Sequence, residues 1–316
     1  MNIEMPDCTT KDVSKALVRL RSEIGAMTLG RVMTLIIVTD DDGADDALEA
    51  ATAASRAHPS RIITLVRGDR RWSDRMDAEV RMGGDAGVSE IVVLRLFGEL
   101  ADHGEAVVTP LLVPDSPVVA WWPMNADYDV AGSPIGAMAD RRITDASLSS
   151  NPRKDLLRRR QTYAEGDSDM AWSRTTRWRG LLATALDQPP YEPVTAVTVS
   201  GASDSASTDL LAGWLAVRLR CPVHRVRGKR GTGLTKVHMD RASGPIELVR
   251  PDRRFATVTQ PEQPPRTVDL SRPGTAESLA EELRSMDRDI TYRDALLKGL
   301  ELVDGVSATR AGRSRK

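Results

Sequence analysis

Two stretches of the chain repeat one pattern of apolar and polar positions about 160 residues apart, the mark of a repeated supersecondary unit. In the first, an apolar run from Val32 to Thr39 passes through an acidic turn and a helical stretch into Arg61 to Arg67, closing on Arg67-Gly68. There follows Arg75 to Met82, where Met76, Ala78, Val80 and Met82 alternate with Arg75, Asp77, Glu79 and Arg81, the period of a half-buried strand. In the second, Val194 to Val199 passes through Gly201 to Thr208 and a helical stretch into His224 to Arg227, closing on Arg227-Gly228. Thr235, Val237 and Met239 then alternate with Lys236, His238 and Asp240. Both copies read strand, helix, strand, loop, strand. The fold class predicted is α/β: two related domains with mixed sheets, over residues 1–150 and 151–316, the second carrying terminal helices and a basic tail.

Local signals fill in the rest. Thr9 opens a capping box with Asp12, and Val13, Ala16, Leu17, Leu20 and Ile24 fall on one helical face. Gly30 precedes Val32 to Val38, whose nearly unbroken apolar character fits a strand covered on both faces. Asp40, Asp41, Asp42, Asp45 and Asp46 suit a helix N-terminus, and the Ala-rich stretch stops at His58-Pro59. A crossover of this length implies parallel strands joined right-handedly. Gly83-Gly84-Asp85 is a turn signal ahead of a strand over Glu90 to Leu96, while Pro110 leaves Asp102 to Val113 ambiguous. Trp121 and Trp122 sit side by side at the end of an apolar strand, so they point to opposite faces: either both are buried within the chain, or one lies in the core and the other is exposed or covered by a partner. Asn151 to Asp169 is a polar bridge that also admits a helix. Asp169 then caps a helix with Trp178, Leu181, Leu182, Ala185 and Leu186 on one face. Ser243-Gly244 makes a hairpin, Pro251 to Pro273 is extended, and two helices begin at Thr275 and at a Thr291/Asp294 box.

Composition narrows the functional classes. Hydrophobic residues make up 41% of 316, enough for real cores, and 44 basic against 45 acidic residues leave no global field for nucleic acid or membrane. Charge is uneven: Arg218 to Arg254 holds eleven Lys or Arg against three Asp or Glu, and the tail Arg310 to Lys316 reads as a solvated end. Two cysteines, Cys8 and Cys221, exclude a disulfide framework and suit a reducing compartment. No secretory signal pattern opens the chain and no run approaches the ~20 apolar residues of a membrane span, so the cytoplasm is the expected address.

Catalytic chemistry is sparse. His58, His103, His224 and His238 lack metal spacing, no GxSxG or GxxxxGK[ST] pattern occurs, and neither a metal nor a cofactor is expected. Gly228-Lys229-Arg230-Gly231-Thr232-Gly233 sits between strands rather than before a helix and reads as a plain connection. The better anion candidate is the loop after a strand and before a helix, Gly201, Ser203, Ser205, Ser207 and Thr208, where free N–H groups and a helix dipole converge. Ordinary capping is the alternative, and Asp204 and Asp209 oppose an anion there. The acidic loop Asp40 to Asp46 would repel the same ligand.

Three long motifs stand in order: Leu111-Leu112-Val113-Pro114-Asp115-Ser116-Pro117-Val118-Val119-Ala120-Trp121-Trp122-Pro123; Asp140-Arg141-Arg142-Ile143-Thr144-Asp145-Ala146; and Trp172-Ser173-Arg174-Thr175-Thr176-Arg177-Trp178-Arg179. With Met5-Pro6-Asp7 and Leu29 to Leu35, they resemble the glucose-6-phosphate dehydrogenase assembly protein family, OpcA, over nearly the whole chain. Arg177 departs from the Pro common in relatives. The resemblance implies a non-enzymatic protein that promotes assembly and allosteric activation of glucose-6-phosphate dehydrogenase, in the oxidative pentose phosphate pathway. It recasts Trp121, Trp122, Arg141, Arg142, Arg174, Arg177 and Arg179 as partner-binding residues, since Trp and Arg are enriched at binding hot spots. The same set could equally fasten the chain to itself by stacking and by pairing with Asp140 or Asp145. An α/β module sensing a phosphorylated metabolite is the alternative function.

Overall fold

The computed structural model describes residues 1–24, 33–82 and 90–307. Gly30, Val32, the turn Gly83-Gly84-Asp85, the tail Arg310 to Lys316 and the side chain of Ile24 lie outside the described residues. In chain order the first strands and helices are β1 (Asn2–Met5), α1 (Thr10–Ile24), β2 (Met33–Thr39), α2 (Asp41–Ala54), β3 (Ser60–Arg67), β4 (Arg75–Met82) and β5 (Glu90–Phe97). Next come α3 (Gly104–Val108), β6 (Val118–Trp121), α4 (Pro134–Met138), β7 (Arg141–Thr144), α5 (Pro152–Gln161), β8 (Asp167–Asp169), α6 (Met170–Ser173) and α7 (Thr176–Leu186). The remainder is β9 (Ala196–Ala202), α8 (Ala206–Leu219), β10 (Val223–Gly228), β11 (Leu234–Asp240), β12 (Ile246–Val249), β13 (Phe255–Gln260), β14 (Gln263–Asp269), α9 (Thr275–Leu283), α10 (Ile290–Leu297) and β15 (Val303–Ser307).

These elements form a mixed α/β protein with two sheets, ordered β1-β4-β5-β3-β2-β6-β7-β8 and β14-β13-β12-β11-β9-β10-β15. The chain divides into two compact units: Met1–Asp145 with Thr162–Asp167 and Thr275–Arg288, and Ala146–Gln161 with Ser168–Gly274 and Asp289–Lys316. It therefore enters each unit more than once.

In the first unit the capping box forms as expected, with Thr9 N donating to Asp12 Oδ2 at 3.1 Å and Asp12 N donating to Thr9 Oγ1 at 3.4 Å. Val13, Leu17 and Leu20 of α1 then pack with Ile36, Val38, Ile63 and Leu65 on one sheet face. The buried alanines of α2 lie outside that cluster and cover the opposite face, which is why β2 is buried at every position. Asp40 caps α2, its carboxylate accepting from Gly43 N at 3.2 Å, so the acidic cluster serves a helix start. β4 alternates between half-buried and buried along its whole length.

In the second unit α7 and α8 share one core with the sheet, through Trp178, Leu182, Leu211 and Leu215 against Val197, Val199 and Val237. The bridge after Asn151 is helical in α5, and the Pro-rich stretch forms the hairpin β13–β14. The cap of α10 is Asp289, which accepts from Tyr292 N at 2.8 Å, so the helix starts before the Thr291/Asp294 pair expected from sequence.

The repeat holds at the level of elements and parts at the level of topology. β2–α2–β3 and β9–α8–β10 are both crossovers between parallel neighbours. The next strand differs: β4 is antiparallel to β5, one place beyond β3, whereas β11 pairs antiparallel with β9 on the other side of the crossover.

Candidate functional site

The first two family-like motifs lie on adjacent parallel strands, with Val119 opposite Arg141 and Trp121 opposite Ile143. Trp121 and Trp122 point to opposite sides of β6 and both are buried, at 0% and 1% exposure. Of the two sequence readings, burial of both rings is the one observed, because the sheet is covered on both sides: Trp122 joins the core under α1, and Trp121 faces the other way. Their role is therefore a packing one as the chain stands, with both indole N–H groups unpaired among the described residues.

Arg141 and Arg142 are buried as well, and each spends its guanidinium inside its own unit. Arg141 pairs with buried Glu282 at 2.5 Å and caps the end of α9 by donating to the Asp287 carbonyl at 3.3 Å and to that of Ser285. Arg142 reaches Asp167 at 2.5 Å, the Ala139 carbonyl at 2.8 Å and the Glu165 carbonyl. Asp140, one of the two carboxylates offered from sequence as a possible partner of the arginine set, accepts from Val118 N at 2.8 Å, holding β6 beside β7. Glu282 and Asp167 escaped the sequence reading because both are far along the chain from the arginines they neutralise.

The third motif organises the second unit. Asp169 caps α6 by accepting from Ala171 N at 2.8 Å and also accepts from Ala146 N at 3.0 Å. Trp172 donates through Nε1 to Asp289 at 2.7 Å, lies 6.1 Å from the Tyr292 ring and carries the Arg179 guanidinium 3.8 Å above its own ring. Arg179 also donates to Thr175 Oγ1 at 3.0 Å and Thr176 Oγ1 at 2.9 Å. Arg174 is buried. Arg177 is exposed on α7, and its side chain makes no ion pair or hydrogen bond among the described residues. Of the seven residues nominated from sequence, it is the one whose charge reaches solvent unpaired.

The nominated anion loop is largely occupied by its own bonds. Ser205 caps α8, accepting from Thr208 N at 3.3 Å and from Thr208 Oγ1 at 2.7 Å. Gly201 permits a close approach of strands, since a Cβ there would sit 2.6 Å from the Gly233 carbonyl oxygen. Ser203 is exposed and Ser207 half-buried. Beneath this loop, Arg225 is wholly buried and bonded to Asp209 at 2.7 Å, to the Gly201 carbonyl at 3.1 Å and to the Ala202 carbonyl at 2.6 Å. Burial pushes the Arg225 pKa down, with Asp209 opposing that shift. The sequence held one clue, since alternation along β10 puts Arg225 on the face of buried Val223, where a charge requires an acidic partner.

A surface that sequence reasoning missed is an aromatic platform in the first unit. Trp72, 54% exposed, stacks on Phe97 at 5.2 Å with the planes 17° apart, and the Arg75 guanidinium lies 4.6 Å from the Phe97 ring centre. Among the described residues no group of His, Cys, Asp or Glu is placed to hold a metal ion, and no helix is long and apolar enough to cross a membrane.

Two family profiles match in order, both describing a glucose-6-phosphate dehydrogenase subunit: residues 51–161 match its N-terminal domain and residues 165–296 its C-terminal domain. The putative OxPP cycle protein OpcA of Synechocystis sp. is 27% identical over 212 residues, 62% of this chain and 38% of that protein, so the chain spans well under half of its relative's length. Among solved structures, an oxidoreductase from Sinorhizobium meliloti overlaps 90% of this chain and 98% of its own at 10% identity and a TM-score of 0.46. A Gfo/Idh/MocA family oxidoreductase from Vibrio cholerae overlaps 90% and 100% at 10% identity and a TM-score of 0.41. Likeness that remote carries no argument about activity. The two domain matches, in order and covering most of the chain, show that it belongs to the OpcA family of glucose-6-phosphate dehydrogenase assembly proteins.

Proposed function

We propose that this protein is a non-catalytic assembly factor and allosteric activator of glucose-6-phosphate dehydrogenase, serving the oxidative pentose phosphate cycle in the cytoplasm. The observation that carries the reading is the match of both halves of the chain to the two domains of one dehydrogenase-associated family. The family motifs supply the framework: Trp121, Trp122, Arg141, Arg142, Arg174 and Arg179 are drawn into the two units, which leaves other side chains to meet the partner. Arg177 and the Trp72 platform fit that role, because an unpaired Arg and a prestacked exposed Trp lose little freedom on docking and are the side chains that dominate binding energy. Activation requires tighter binding to the active state or oligomer of the dehydrogenase than to the alternative.

Titrating the dehydrogenase of the same organism with this protein tests the reading. A saturable rise in activity, with no turnover by this protein alone, is the expected outcome. Trp72→Ala and Arg177→Glu should each raise the concentration needed for half-maximal activation, by about tenfold for a contact worth ~1.4 kcal/mol, without altering folding. A flat titration with both proteins folded would refute the proposal.

A further inference from the structure

Within the second unit, two depressions meet at Arg153. The first, with an empty volume of ≈ 460 Å³ counted out to solvent, is lined by Arg153, Arg225 and Arg227 on its polar side. Leu156, Leu300 and Val303 provide its apolar side. The second lies beyond the carboxyl ends of the parallel strands β9 and β10, where α/β sheets hold their ligands, between Asn151 at the start of α5 and Ser203 before α8, with Arg230 and the carboxylate of Asp204 also in its lining.

The charge balance of the first depression is unusual. Three guanidinium groups face one carboxylate, Asp209, which is shared between Arg225 at 2.7 Å and Arg227 at 3.3 Å. Two positive charges therefore stand without a counter-ion among the lining residues. Arg153 is exposed and makes no ion pair among the described residues, while Arg230 makes only a 3.4 Å contact with Asp204. Crowding like charges beside a buried guanidinium is costly in a region of low dielectric, and an anion is what relieves it. A phosphate monoester carries close to two negative charges at neutral pH, its second pKa being about 6, and its oxygens match the donor geometry of arginine. The leucine and valine side suits an organic body attached to that phosphate.

We propose that these two adjoining depressions, joined at Arg153, together bind the phosphate group of a small phosphorylated metabolite, with Arg153, Arg227 and Arg230 as the contacting cations and Arg225 as the buried charge behind them. The site meets the loop Gly201 to Thr208 only at Ser203 and Asp204, while Ser205 and Thr208 are spent on capping α8. Binding here would let metabolite level act on the second unit, yet the proposal does not depend on the dehydrogenase and is tested on this chain alone.

Isothermal titration calorimetry of the full chain with inorganic phosphate, glucose 6-phosphate and adenosine 5′-monophosphate, against sodium chloride at equal ionic strength, decides the matter. At least one monoester should bind about tenfold more tightly than inorganic phosphate, because it also fills the apolar side. Affinity should fall as pH drops below about 6, where the ligand loses its second charge. Arg153→Ala and Arg230→Ala should each weaken binding by about fivefold or more at unchanged melting temperature, and Arg177→Ala on α7 should leave it unaltered. The proposal is overturned if no probe binds beyond the chloride control, if neither monoester improves on inorganic phosphate, or if both cleft variants keep the parent affinity.

Discussion

Arg141 carries its charge into the interior of the first unit because Glu282 meets it there, with both side chains almost fully buried. Removing one partner of such a pair strands the other in a poorly polarisable medium, so Arg141→Ala should lower stability by about 3–5 kcal/mol in chemical denaturation. A variant losing less than about 1 kcal/mol, the scale of an exposed pair, would show that this one is solvated. At Trp121 and Trp122 the sequence showed the strand and the opposite directions of the two rings but left open whether both are buried; alternation fixes which way each ring points, but not whether a helix covers that side. The arginines in the family-like motifs illustrate the same limit, since their acidic partners lie 25 residues away at Asp167 and 141 residues away at Glu282. Both cysteines sit partly buried, and burial is the first cause pushing each thiol pKa above its usual value of 9.0. Alkylation by iodoacetamide at about pH 7.5 should therefore run slower at Cys8 and Cys221 than at a free thiol and accelerate as pH rises; faster reaction at either would contradict the assigned environment.

At the scale of elements, the signals that worked were local ones. The capping box at Thr9, the alternation of Arg75 to Met82 and the crossovers around α2 and α8 depend on neighbours within a few residues, and each appears where periodicity placed it. What stayed illegible was pairing at a distance, such as β11 joining β9 while β4 joins β5. A second case is Gly213, which stands in the middle of α8 despite its low helix propensity. The structure explains it: a Cβ on Gly213 would lie 2.7 Å from the Ala295 carbonyl oxygen, and one on Gly299 would collide with the Gly213 backbone. Gly299→Val should overpack this contact and cost about 1–3 kcal/mol in equilibrium unfolding, with an unchanged midpoint counting against the packing account. The sheet of the second unit also predicts a pH response. Glu247 is held below its usual pKa of 4.5 by hydrogen bonds from Lys236 first and His238 second, at 2.5 and 2.7 Å. Since the unfolded chain takes up that proton before the folded chain does, the contribution is complete above the unfolded value of 4.5 and fades as pH falls through the lower folded value. Melting temperature should drop on acidification through this window, and less steeply in Glu247→Gln; identical slopes would remove Glu247 as a cause.

For the whole molecule, sequence order and spatial order diverge. Residues 275–288 return to the first unit after the chain has built most of the second, and α9 packs on α2 there. No composition shift announces that return, because an amphipathic helix with Leu279 and Leu283 inward fits either core equally well. The family was legible for another reason: its three motifs are long, ordered and composed of side chains that the two units need for their own construction. Of the two side chains proposed to meet the partner, Arg177 lies within the third motif, whereas Trp72 belongs to none and is not marked in one sequence. Size-exclusion chromatography with light scattering, on an equimolar mixture with the dehydrogenase of the same organism, tests the central claim most directly. The assembly account predicts a co-eluting species whose mass includes both proteins and exceeds that of the dehydrogenase alone. Separate elution of two folded proteins at their individual masses, across concentrations reaching tens of micromolar, well above the dissociation constant of a complex worth about 8 kcal/mol, would contradict it.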